Sequence, residues 1–380
     1  MKMQLGHIQQ PMECDFCSTE NKLESIVWME SLLDECQGHL QLDYAMVCDL
    51  ITGDLPMKLV CPAGSLPALF EAVDSGADAV YLGFRDTTNA RAFPGLNFSP
   101  KDLARGINHA RAAGCEIYLA LNTYPTCDKL GQAFDAVDRA SDLGADALIV
   151  AEIAVLEYAA KNYPDLRRHL SVQGSATSAA ALQFYREQFG ISRAVLPRVL
   201  ALQQVEHLAE TAPVELEVFA FGSLCIMVEG RCQLSSYATG KSPNCDGVCS
   251  PPEAVTWSES DEGRSVRLNG LLIDRFEADE RAGYPTVCKG RYQVGDQVMH
   301  ALEEPVSLNT LDLLPRLAAC GVSAVKIEGR QRSPAYVGTV TRIWRQAIDH
   351  LKSGTAPAVD PRWHETLSGL SEGSQVTLGP

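Results

Sequence analysis

What this 380-residue chain lacks narrows its possible roles before any motif is read. No apolar run reaches the roughly 18 residues that a bilayer-spanning helix needs. No basic stretch leads into an apolar segment at the amino terminus, so no secretory signal is expected. HExxH is missing, and the one GxSxG match, Gly369-Leu-Ser-Glu-Gly373, follows no apolar strand as a nucleophile elbow must, which removes the usual zinc-protease and serine-hydrolase readings. No GxGxxG follows the first apolar strand, which argues against dinucleotide binding. Basic residues are in deficit, 32 Lys and Arg against 48 Asp and Glu, for a formal charge of −16. A generic nucleic-acid binder needs a basic face, so no nucleic-acid partner is expected, although a small basic pocket remains compatible.

What is present is an ordinary globular composition, 46% hydrophobic and 21% charged, on a chain long enough to bury a core without covalent staples. The 13 cysteines are therefore not read as a disulfide framework. Reduced thiols in a cytoplasmic protein are expected, and the odd number raises the question of whether a subset forms a site.

Residues 1–56 differ from the rest. They hold ten acidic residues and two lysines, half of the net charge, with Cys14 and Cys17 as a CxxC and Cys36 and Cys48 beyond it. They read as an acidic extension, either poorly ordered or preceding a natural start at Met57. From Met57 a unit recurs in which a helical stretch ends in glycine and a short apolar strand follows. Gly76, Gly114, Gly144, Gly190 and Gly321 mark the stops. Strands are expected at 57–63, 79–83, 116–121, 148–150, 170–173, 194–196, 216–219 and 324–327. Continuously apolar strands indicate a parallel sheet covered by helices. Eight such units predict an α/β, TIM-barrel-like (β/α)8 domain over 57–352, followed by a tail at 353–380. An open doubly wound sheet is the alternative. The rhythm breaks after strand 7, where a glycine- and proline-containing insertion runs over about 222–308. Within it, 255–257 and 266–273 read as a hairpin around Asp261-Glu-Gly263. An insertion there lies at the face where barrel enzymes build their sites.

Cys225, Cys232, Cys249 and Cys288 fall in this insertion, separated by 6, 16 and 38 residues. Glycines beside them let backbone N–H groups approach sulfur. Four thiolates without histidine suit an iron–sulfur cluster or zinc, and the gaps do not match the paired CxxC of a zinc ribbon. Four unrelated buried cysteines is the bland alternative.

The stretch from Glu217 to Ser235, with Gly222, Cys225, Gly230 and Cys232, resembles the signature of the collagenase-like peptidase family U32. Cys61-Pro-Ala-Gly64, Thr88-Asn-Ala-Arg91, Ser236-Tyr-Ala-Thr-Gly240 and Lys326-Ile-Glu-Gly-Arg-Gln331 resemble one branch of it, the oxygen-independent ubiquinone-hydroxylation proteins. The resemblance implies a [4Fe-4S] cluster on Cys225, Cys232, Cys249 and Cys288 as metal ligands. It implies a heterodimer with a UbiV-like sister subunit, a lipid-carrier accessory protein for the quinone, and prephenate as oxygen source. Residues 1–56 have no counterpart, and Cys245 is an extra thiol read as a bystander. Peptidase activity has little support, since nothing places a histidine beside Cys225.

For substrate contact, Arg85, Asn89 and Arg91 follow the second strand, Arg198 the sixth and Arg330 the eighth. Lys326 and Glu328 alternate on the last strand, and Gln173 and Asn122 end strands. Guanidinium groups suit an anionic dicarboxylate; surface salt bridges are the alternative reading. Two rivals to quinone hydroxylation remain: hydroxylation of an RNA pyrimidine, disfavoured by 38 acidic against 30 basic residues outside 1–56, and a non-catalytic scaffold stabilised by its cluster.

Overall fold

The computed structural model describes residues 57–380 except 94, 226–231, 262, 281, 354–358, 374 and 380. The expectations for residues 1–56, with Cys14, Cys17, Cys36 and Cys48, lie outside the described residues. Strands and helices alternate: β1 (Lys58–Pro62), α1 (Leu66–Asp74), β2 (Ala79–Leu82), α2 (Pro100–Ala112), β3 (Glu116–Leu121), α3 (Leu130–Asp142), β4 (Ala147–Val150) and α4 (Ile153–Asn162). They continue with β5 (Arg167–Leu170), α5 (Ala179–Phe189), β6 (Ile191–Val195), α6 (Leu202–Thr211) and β7 (Glu215–Ser223). The insertion carries α7 (Gln233–Thr239), β8 (Val255–Ser260), β9 (Gly263–Leu268), β10 (Leu271–Phe276), β11 (Arg291–Val294), β12 (Gln297–His300) and β13 (Val306–Asn309). After α8 (Leu314–Ala319) come β14 (Ala324–Ile327), α9 (Pro334–Lys352), α10 (Pro361–Leu370) and β15 (Gln375–Thr377).

Strands β1 to β7 pair in parallel in chain order, and β14 pairs in parallel with both β1 and β7. The result is the expected closed eight-stranded barrel ringed by helices. All five glycine stops have φ between 61° and 96°, the left-handed region that ends a helix without a Cβ clash. Helix α1 starts as read, with Ser65 Oγ accepting from the Ala68 N–H. The outer core lies between sheet and helices, where Trp344 is fully buried against β-strand side chains.

Three local expectations are corrected. The fifth strand is Arg167–Leu170, not 170–173; Val172–Gly174 is a 3₁₀ turn. The true strand reads Arg-Arg-His-Leu, and its buried Arg168 and His169 disguise it from a search for apolar runs. The hairpin at 255–273 has three strands, because Asn269-Gly270, both at positive φ, turns the chain between β9 and β10. The segment read as a tail adds a helix and a strand, and β15 pairs in parallel with β13.

The insertion roofs the carboxy-terminal end of the barrel. Strand β13 runs antiparallel to the end of β7, with Leu308 opposite Gly222. The loops after β1 and β14 are pressed together below that roof. A Cβ on Gly64 would sit 1.9 Å from the Arg330 carbonyl oxygen. Replacement of Gly64 by alanine should therefore destabilise by about 1–3 kcal/mol, measured by denaturant unfolding. Gly131→Ala, which meets nothing within 4 Å inside α3, should be neutral or slightly stabilising.

Candidate cysteine-lined active site

The floor of the barrel mouth is built around a buried carboxylate. Glu217 on β7 is fully buried and accepts from Lys326 Nζ on β14 at 2.6 Å and from Arg193 Nη1 on β6 at 3.2 Å. Burial alone would raise the Glu217 pKa, but the two cations hold it below the ordinary carboxylate value. Burial lowers that of Lys326, against the pull of Glu217. The Lys326 ammonium lies 4.0 Å above the Tyr81 ring, and Tyr81 donates to the Ile327 carbonyl at 3.0 Å. Beneath this layer His169 packs edge-on to Tyr118 and is driven to a pKa of about 3, first by burial and then by Arg193. It is neutral at physiological pH.

Above the floor lies a pocket enclosing about 1090 Å³, open mouth included. Cys225, Cys232, Cys249 and Cys288 all line it, together with Arg91, Arg198, Lys326, Arg330 and Glu328. The four thiols are electrostatically coupled. Burial pushes Cys249 up to about 12; Arg91 opposes the shift, while Cys232, Cys225 and Cys288 add to it. Each cysteine is held by identifiable local structure. Cys225 follows β7 by two residues. Cys232 donates its N–H to Asn244 Oδ1 at 2.9 Å, and Asn244 Nδ2 donates to Gln173 Oε1 at 2.9 Å, which ties the insertion to the rim after β5. Tyr284 joins the other two: its hydroxyl accepts from Ser250 N–H at 2.9 Å, and Ser250 Oγ bonds the Pro285 carbonyl, so the chain beside Cys249 is fastened to the segment leading to Cys288.

Among the described residues, no group of three or more His, Cys, Asp or Glu side chains is gathered as a site for one metal ion. A four-iron cluster asks for a different arrangement, one thiolate on each of four irons, and so a wider ring of sulfurs. Four thiols around one pocket, without histidine partners and with Arg91 facing them, fit that donor set. Cys245 is not among the residues that line this pocket. Cys61, Cys115, Cys127, Cys245 and Cys320 form no disulfides.

Of the other sequence-derived candidates, Arg91, Gln173, Arg198, Lys326, Glu328, Arg330 and Asn122 line the pocket. Arg85 and Asn89 do not. Arg85 points outward and donates to the Asn97 carbonyl at 3.2 Å. Asn89 is buried behind the wall, donating to the Phe84 carbonyl and accepting from Arg330 Nη1 at 3.0 Å, so it positions an arginine instead of meeting a ligand. Asn122 is likewise committed, accepting from the Ala90 N–H at 3.0 Å. Sequence reasoning missed Tyr81 and Asn244. Tyr81 interrupts an aliphatic strand at an inward position, which was a usable signal; Asn244 carried none.

The fold and the lining define an α/β-barrel protein with a cysteine-ringed pocket at its mouth. The model for Peptidase family U32 matches residues 64–377, and the chain belongs to that family. Among curated relatives it is 32% identical over 335 residues to tRNA hydroxylation protein P of Escherichia coli (strain K12), covering 83% of this chain and 72% of that protein. It is 30% identical over 327 residues to a collagenase of Porphyromonas gingivalis (strain ATCC BAA-308 / W83), covering 82% and 70%. It is 28% identical over 299 residues to 23S rRNA 5-hydroxycytidine C2501 synthase of Escherichia coli (strain K12), covering 77% of this chain but 39% of that protein. No helix among the described residues is long and apolar enough to cross a membrane.

The buried triad makes a sharp mutational contrast. Glu217→Ala strands Lys326 and Arg193 without their shared counter-charge and should cost about 3–5 kcal/mol in urea unfolding. Glu215→Ala removes a carboxylate that is 53% exposed and bonds the same arginine; it should cost under about 1 kcal/mol.

Proposed function

We propose that this protein is the iron–sulfur subunit of an oxygen-independent hydroxylase whose substrate is the ring of a ubiquinone precursor. The observation that carries the reading is the convergence of Cys225, Cys232, Cys249 and Cys288 on one pocket that also holds cations and an apolar wall. The four cysteines would hold a [4Fe-4S] cluster, which supplies a site for accepting and delivering electrons. Hydroxylation is the activity named for two of the relatives above, and it supports the reaction class. The ubiquinone substrate rests on the UbiU-type motifs at Cys61–Gly64, Thr88–Arg91, Ser236–Gly240 and Lys326–Gln331. A UbiV-like sister subunit and prephenate as oxygen source belong to the same proposal.

The chain's own groups have definable tasks. Arg91 faces Cys249 and Cys225 and offsets the negative charge of ligating thiolates. Its distance of 3.8 Å to Glu328 leaves it bridging the thiols and an acid. Arg198 and Arg330 line the same cavity and suit the carboxylates of an organic acid. Burial lowers the Arg330 pKa to about 10, which still leaves it charged at neutral pH. Val172, Val195 and Phe219 form an apolar wall against which an aromatic ring packs.

A second reading, hydroxylation of an RNA base, is favoured by the name of the Escherichia coli relative at 32% identity. Growth of a deletion strain without dioxygen separates the two. Ubiquinone should fall to background while hydroxylated nucleosides in transfer and ribosomal RNA stay unchanged. Complementation should succeed with the native gene and fail with Cys225→Ala, Cys232→Ala, Cys249→Ala or Cys288→Ala. Loss of a hydroxylated nucleoside with normal ubiquinone would overturn the quinone reading in favour of RNA.

A further inference from the structure

A second pocket adjoins the cysteine-lined one, and nothing in the proposed chemistry uses it. It encloses about 840 Å³, open mouth included, within the range of small-molecule sites. It lies where the loop after β6, the start of α6, β13, α8 and the residues after β15 meet. Its lining is aliphatic, with Leu200, Leu202, Val205, Leu308, Leu317 and Leu378 as the main surfaces. Among the described lining residues Arg198 supplies the lone formal charge, and it stands at the junction. Arg198 and Phe219 line both pockets. The Arg198 guanidinium lies 3.6 Å over the Phe219 ring, so this stacked pair is the partition between a charged chamber and an apolar one.

We propose that the apolar pocket binds the first isoprenoid units of a polyprenyl tail attached to an aromatic ring, the ring itself lying in the cysteine-lined pocket. The inference deepens the quinone reading and rests on it. Three observations favour this occupant. The pocket adjoins the reaction chamber, the two sharing Arg198 and Phe219 in their linings, so a single ligand with a polar head and an apolar tail reaches both by passing the edge of this pair. The change in lining from arginine- and thiol-rich to aliphatic occurs across that wall. The outer end is open beside Leu378, itself 51% exposed, so a tail longer than the pocket has an exit. The Arg198–Phe219 stack suits the junction, because its faces offer an apolar surface to a passing chain.

Equilibrium dialysis of anaerobically purified full-length protein with phenol, 2-geranylphenol and 2-farnesylphenol tests the site. Geranylphenol should bind on the order of tenfold or more tighter than phenol, because burial of each methylene adds to affinity. Farnesylphenol should gain less over geranylphenol once its chain leaves the pocket. Leu200→Trp, which fills the pocket from a half-buried position, should abolish the gain without weakening phenol. Gln203→Trp at the exposed lip should reduce it in the same way and guards against misfolding of the first variant. Equal affinity for phenol and geranylphenol, or a gain that survives both substitutions, would overturn the proposal. The assay needs no turnover. Tail-dependent binding by a protein that hydroxylates no quinone precursor would sink the functional reading and leave the site. Equal hydroxylation of tailed and tail-less rings would sink the site and leave the reading.

Discussion

The structure depends on one carboxylate taken out of water. Glu217 is wholly buried and answers two cations from neighbouring strands, Lys326 of β14 and Arg193 of β6. An isolated buried carboxylate would protonate or unfold its surroundings; with two charge-assisted hydrogen bonds it becomes a three-strand clasp at the seam where the barrel closes. The clasp also sets the site. Lys326, pinned by Glu217 and laid over Tyr81, forms the floor of the pocket. Strand β7 carries Glu217 near its base and leads to Cys225 two residues past its end, so the interaction that fixes the register of β7 also fixes where the first thiol emerges.

From this follows a contrast between the whole chain and its mouth. The protein is strongly acidic, yet the chamber above Glu217 is lined by Arg91, Arg198, Lys326 and Arg330 with Glu328 as the acid among them. Net charge governs solubility and long-range attraction, whereas a recessed basic chamber acts only on ligands small enough to enter. Inside the chamber that lining favours small anions and negative charge on sulfur. The insertion adds the remaining requirement by bringing three cysteines over the chamber through the hydrogen bonds of Asn244 and Tyr284.

The architecture was legible because its signals are local. A glycine at each helix end and an apolar strand behind it record backbone geometry and burial in adjacent residues. The fifth strand escaped because its buried positions include Arg168, which donates to main-chain carbonyls, and His169, kept neutral first by burial, where a search for apolar runs expects aliphatic side chains. The turn at Asn269-Gly270 was legible and was overlooked inside an apolar run. At the site, the cysteine type and spacing left iron–sulfur and zinc both open, and the family resemblance singled out the four that line the pocket. Arg85 and Asn89 show the limit of the method. Both follow a barrel strand, as pocket residues should, but which way a loop side chain points depends on contacts such as Asn89 with Arg330, 241 residues apart. Asn244, which joins the barrel rim to Cys232, is visible only once the chain is folded.

The account stands on Cys225, Cys232, Cys249 and Cys288 sharing one cluster. Its most direct test is iron, acid-labile sulfide and zinc analysis of the protein purified without dioxygen, alongside a variant with all four cysteines changed to alanine. The account predicts about four irons and four sulfides per native chain, with both lost in the variant. A single zinc ion without sulfide, or iron and sulfide retained by the variant, would contradict it.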